Sequence, residues 1–119
     1  MTYPHPDIHP TDLPLPVATY LDRSQGNRRR TAIEVFAADA VVVDDGHQYR
    51  GSSEIAEWLD RVASAYEYTT TFLRAERDGH ATVVVNRLEG TFPGGIVDLK
   101  YRFVLNGQNS AIRELTIAP

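Results

Sequence analysis

Residues 96–107, Ile96-Val97-Asp98-Leu99-Lys100-Tyr101-Arg102-Phe103-Val104-Leu105-Asn106-Gly107, carry the pattern that decides the fold. Leu99, Tyr101, Phe103 and Leu105 alternate with Asp98, Lys100, Arg102 and Val104. Successive side chains of a strand point to opposite faces, so the first set is read as covered by helices and the second as facing outward. Asn106-Gly107 then supplies the positive φ that a tight hairpin turn needs. Strand-like runs at Thr69–Glu76, Thr82–Thr91 and Ala111–Ile117 flank this segment, with turn residues at Asp78-Gly79 and Phe92-Pro93-Gly94-Gly95. The later part of the chain is therefore predicted to be an antiparallel meander, with Gly90 marking a bulge that bends it into a concave face.

Upstream, the apolar period is helical. Asp12 is read as the cap of a first helix, with Pro14 and Pro16 in its first turn and Leu13, Val17, Tyr20 and Leu21 along one side. Gly26-Asn27 stops it, and Ile33, Phe36 and Ala37 predict a second short helix. A strand Val41–Asp44, a turn at Asp45-Gly46 and a short strand Gln48-Tyr49-Arg50 follow. Gly51-Ser52-Ser53-Glu54 opens a third helix whose apolar face is Ile55, Trp58, Leu59, Val62, Ala63 and Tyr66. Residues 13–119 thus read as one α+β domain. It is expected to be cone-shaped, with three N-terminal helices packed on a curved antiparallel sheet and closing over it around a pocket. Residues 1–12 are read as an extended arm. His5 and His9 are spaced as a helical metal pair, but Pro6 and Pro10 oppose that helix, and no metal site is expected.

With 119 residues, 42% of them hydrophobic, the chain can build one continuous core. Its net charge of −4 argues against a phosphate-backbone partner, and no nucleic acid is expected. The one basic run, Arg28-Arg29-Arg30, is read as a solvated face. There is no cysteine, which removes disulfides, thiolate nucleophiles and cysteine-type zinc sites together. Met1-Thr2-Tyr3-Pro4-His5-Pro6 does not lead from a basic stretch into an apolar one, so no signal peptide and no membrane association are expected, and the chain is read as cytoplasmic.

Three local stretches carry a resemblance. They are Ile33-Glu34-Val35-Phe36-Ala37-Ala38-Asp39-Ala40-Val41-Val42-Val43-Asp44, Tyr49-Arg50-Gly51 leading into the third helix, and Tyr101-Arg102-Phe103 with Asn106-Gly107. In this order of elements, residues 13–118 resemble the nuclear transport factor 2-like superfamily, which includes SnoaL-like polyketide cyclases and ketosteroid isomerases. The resemblance implies a cystatin-like α+β barrel and a small apolar molecule as partner. It does not imply one activity, because the scaffold hosts isomerases, cyclases, hydrolases and proteins that only bind or assemble.

Laid against ketosteroid isomerase without a gap, Tyr20 falls on the tyrosine that donates to the substrate carbonyl and Asp44 on the aspartate base. The resemblance then implies a cofactor-independent isomerase or cyclase in which a carboxylate removes a proton next to a carbonyl. The acid expected on a late strand is replaced by Tyr101, while Asp98 lies on the opposite face of that strand. Asp44 is read either as this base or as a turn aspartate, and Asp45 as a turn residue. Tyr20 and Tyr101 are read as donors or as core tyrosines with satisfied hydroxyls. Trp58, Phe72 and Phe103 are core residues that a cone fold would also use as pocket wall, Asn86 can point either way, and His47 shuttles a proton or caps a loop. Arg74, Arg87 and Arg102 are expected on the outer face, in water or in a homodimer interface. Alternatives to the enzyme are a non-catalytic ligand binder and a homodimeric assembly domain. An epoxide hydrolase of the limonene type would need Asp98 and Arg102 inside the cone.

Overall fold

The computed structural model describes residues 7–65 and 67–119. Its strands are β1 (Phe36–Asp44), β2 (His47–Arg50), β3 (Tyr68–Asp78), β4 (Ala81–Gly90), β5 (Ile96–Leu105) and β6 (Ile112–Ala118). They form one curved sheet in the order β2-β1-β6-β5-β4-β3. The strands β3 to β6 make the antiparallel meander that the alternation predicts. The sheet is not antiparallel throughout, because β1 runs parallel to β6, with Val42 opposite Leu115 and Asp44 opposite Ile117. Parallel pairing needs a long crossover, which the helix and meander between these strands provide.

Of the helices, α1 spans Leu15–Arg23 and α2 spans Gly51–Ala65. Pro16 lies in the first turn of α1, where a missing N–H costs least. The cap residue is Pro14, not Asp12, which sits in a separate 3-10 turn over Pro10–Asp12. The second predicted helix is also corrected. Gly26–Val35 is a 3-10 segment bent at Arg28, and Phe36 already begins β1. A spacing of three between Ile33 and Phe36 suits 3.0 residues per turn as well as 3.6, and the β-branched Thr31, Ile33 and Val35 weaken the α alternative. In α2 the Glu54 carboxylate accepts the Arg50 N–H at 2.8 Å, and Ile55, Trp58 and Leu59 are buried. The side chains of Val62 and Ala63, expected on the same face, lie outside the described residues, as does Tyr66.

The core sits between the helices and the concave face. Phe103, Leu115, Ile112 and Val42 from the sheet are fully enclosed with Val17 of α1 and Ile55 of α2. Gly90 marks a close approach and not a bulge, since the β3–β4 register continues through Tyr68 opposite Gly90. A Cβ at Gly90 would run into the Glu67 carbonyl oxygen and lie 2.6 Å from the Tyr68 Cβ, so only glycine lets these backbones meet. The register shift falls between Phe72 and Arg74 instead, and another separates Val104 from Leu105. Of the arm expected over residues 1–12, residues 1–6, with His5, lie outside the described residues. Asp7 bridges to Glu76, and the Ile8 N–H donates to the Ala75 carbonyl at 2.8 Å, against the free edge of β3. Among the described residues no helix is long and apolar enough to cross a membrane.

Candidate functional site

Between the helices and the sheet lies a cavity of about 410 Å³. Much of its wall is apolar, from Leu21, Leu59, Leu88, Val97, Leu99 and Ile117. Sheet register puts its polar groups in place. Val42 is buried, and two positions on, Asp44 shares its face. Asp44 lies opposite Ile117 on β6, and Ile117 opposite Tyr101 on β5, so the carboxylate and the phenol stand in one row across the concave side.

The carboxylate is held from above by α2. The Trp58 indole N–H donates to Asp44 Oδ2 at 2.9 Å. The Trp58 ring in turn packs against Tyr49, with centroids 6.1 Å apart. Tyr20 reaches the cavity from α1, wedged edge-on between Phe36 and Phe103 with centroids at 5.8 and 5.6 Å. Asp45 (φ 53°) and Gly46 (φ 77°) form the tight turn that the sequence predicts. Beyond it His47 is exposed at the cavity mouth, with Nδ1 3.1 Å from the Asp45 carbonyl.

Six of the eight residues named from sequence line this one cavity: Asp44, Tyr20, Tyr101, Trp58, Asn86 and His47. Phe103 does not. It lies beneath the floor with no exposed surface, because its row is capped by Tyr20. Phe72, directly opposite Asn86 on β3, packs against the core and is not among the residues of the wall. Arg74, Arg87 and Arg102 are exposed as expected, and Asp98 is exposed with them, bound by Arg87 at 2.8 and 3.1 Å. Asp98 and Arg102 therefore lie outside the cone, where an epoxide-hydrolase arrangement cannot form.

The structure adds residues that the sequence reading left out. Tyr68 and Thr70 line the cavity from the start of β3, at alternate positions that period two could have revealed. Arg29 lines it as well and is only 7% exposed, against its reading as part of a solvated run. Three consecutive residues on a 3-10 turn point in three directions, so a run of like residues does not share one face. Arg28 and Arg30 do face solvent, and Arg30 pairs with Asp60 at 3.2 Å.

Burial raises the Tyr20 phenol well above its ordinary pKa, and Tyr101, Tyr68 and Asp44 add to the rise while Arg29 opposes it. Tyr101 is raised too, first by burial, then by Tyr68 and Asp44. Both hydroxyls stay protonated, as donors, through the neutral range. Below about pH 10 folded and unfolded chains both hold these protons, whereas above it the unfolded chain releases protons that the folded chain retains. The melting temperature is accordingly expected to be insensitive to these groups up to about pH 10 and to fall above it. A Tyr20→Phe, Tyr101→Phe double variant should lose less over the same alkaline range; an identical decline would contradict the assignment.

No family model and no curated protein matches the chain. Solved structures do. The chain is 32% identical to a candidate polyketide cyclase from Sinorhizobium meliloti, over 93% of this chain and 100% of that one, with a TM-score of 0.84. A candidate SnoaL-like polyketide cyclase from Shewanella putrefaciens shares the fold at 19% identity and a TM-score of 0.67, over 87% of this chain and 85% of that one. A protein of ketosteroid isomerase-like fold from Catenulispora acidiphila does so at 21% identity and a TM-score of 0.75, over 89% and 85%.

Proposed function

The chain belongs to the SnoaL-like, nuclear transport factor 2-like superfamily of polyketide cyclase and ketosteroid isomerase relatives, and from this we propose that it is a cofactor-independent enzyme acting on an apolar cyclic ketone. Asp44 is the base, and Tyr20 and Tyr101 are the donors. One observation supports this reading above the rest. Trp58 occupies Asp44 Oδ2, while Oδ1 bonds no described residue and is left to accept a proton inside the cavity that both phenols share.

In the reaction, the carboxylate takes a proton from the carbon next to the carbonyl, the C–H electron pair becomes the enolate C=C bond, and the carbonyl π pair moves onto the oxygen. Tyrosine O–H groups hold the resulting enolate. Return of the proton at a conjugated carbon completes an isomerisation, whereas attack of the enolate carbon on a second carbonyl closes a ring. Trp58 fixes which carboxylate oxygen faces the substrate, and the apolar wall keeps water from the enolate.

The test uses 1-tetralone in D2O. Proton NMR is expected to show protein-dependent loss of the α-CH₂ signal. Binding with the α-protons retained would instead support a non-catalytic ligand binder, the reading favoured by a phenol standing where the ketosteroid isomerase pattern has an acid. The exposed Ile96, on the outer face with Asp98 and Lys100, supports a homodimer through that face.

A further inference from the structure

Among the described residues Arg29 is the one buried cation of the cavity wall, and its bonding is incomplete. Its Nε–H donates to the Ser24 carbonyl at 2.7 Å, and its guanidinium carbon lies 5.3 Å from the centre of the Tyr68 ring. Nη1 is fully buried and bonds no described residue. No described carboxylate forms an ion pair with Arg29, unlike Arg23, Arg30, Arg87, Arg102 and Arg113. The guanidinium is a planar, delocalised cation with five N–H donors and no acceptor. A buried charge with unfilled donors is unfavourable unless something in the cavity completes it. Asp44 does not, for no ion pair joins it to Arg29: its Oδ2 is held by Trp58 on the β1 side, while Arg29 stacks over Tyr68 on the β3 side.

We propose that Arg29 anchors a carboxylate on the ligand, so that the cavity takes a ring-bearing acid with its apolar body along Leu88 and Leu99 and its anionic end at the guanidinium. A guanidinium pairs with a carboxylate through charge-assisted hydrogen bonds, about twice as strong as neutral ones. One buried guanidinium beside the apolar part of the wall suits one negative charge and a flat body, while the cavity's other arginine, Arg61, is exposed. A carbonyl elsewhere on the same molecule would then lie toward Asp44 and the phenols, giving a keto acid a defined direction in the cavity. This inference rests on the cavity being a ligand site, and it holds whether or not Asp44 acts as a base.

Calorimetric titration of the folded chain with 2-naphthoate and its neutral counterpart 2-naphthamide tests it. The acid is expected to bind roughly 10- to 100-fold more tightly than the amide, the range of one charge-assisted hydrogen bond. Arg29→Gln should bring the two ligands level, and Arg29→Lys should keep part of the preference. Because the readout is a ratio, a general loosening of the site moves both ligands together. Equal binding to the unaltered protein overturns the anchor while leaving the cavity a ligand site. An undiminished preference in Arg29→Gln also overturns it, and if that variant does not fold, an undiminished preference in Arg29→Lys does so. Binding of neither compound at millimolar concentration rejects the ligand site and the anchor together.

Discussion

Asp44→Asn is expected to slow α-proton exchange in bound 1-tetralone by about 10²- to 10⁴-fold, the contribution of a positioned general base. The substitution is nearly isosteric. Its amide oxygen can still accept the Trp58 N–H that now reaches Oδ2 at 2.9 Å, so the wall should keep its shape. What disappears is a group able to take up a proton. The exchange rate by NMR and the melting temperature, measured on the same sample, separate chemistry from folding. A full exchange rate in a folded Asp44→Asn protein would remove Asp44 from the mechanism.

Phe103→Ala is expected to cost about 3–5 kcal/mol of folding stability, the range for deleting a fully enclosed aromatic ring. Phe103 has no exposed surface, meets Tyr20 edge-on at 5.6 Å and lies opposite Leu115 on β6. The core there spans two layers, so relaxation of one helix cannot refill the space without opening the sheet contacts. Urea unfolding checks the value. A loss below about 1 kcal/mol would mean that the layers collapse around the gap, and that Phe103 does not set the distance between helix and sheet.

Much of this architecture is legible in the chain because its strands alternate cleanly. Leu99, Tyr101 and Phe103 face inward, and the Arg87–Asp98 pair lies outside. Period two alone fixes that choice once one face is known to be covered. Asp44 and Tyr101 reach the same cavity for the same reason. The segments that escaped are those where local pattern underdetermines geometry. Ile33 and Phe36 fit either helical pitch, and the parallel partner of β1 lies too far along the chain for any local signal. Arg29 was hidden by its neighbours. A basic run looks uniform in sequence, whereas a 3-10 turn buries its middle member and exposes the other two. Phe72 and Phe103 show the reverse limit, since an inward direction does not reveal whether a ring ends in the core or at a wall.

The parallel seam between β1 and β6 has a kinetic meaning. Asp44 and Ile117 are neighbours across it, yet they are about seventy positions apart, and such contacts bring a large closure entropy before they return any stability. Hairpins can zip locally at their turns, β1 with β2 among them, whereas the β1–β6 pairing has no turn of its own and joins distant segments. The Asp44 carboxylate is therefore expected to come beside Tyr101 late in assembly, and an intermediate that stopped short of that pairing would present a bare, greasy concavity.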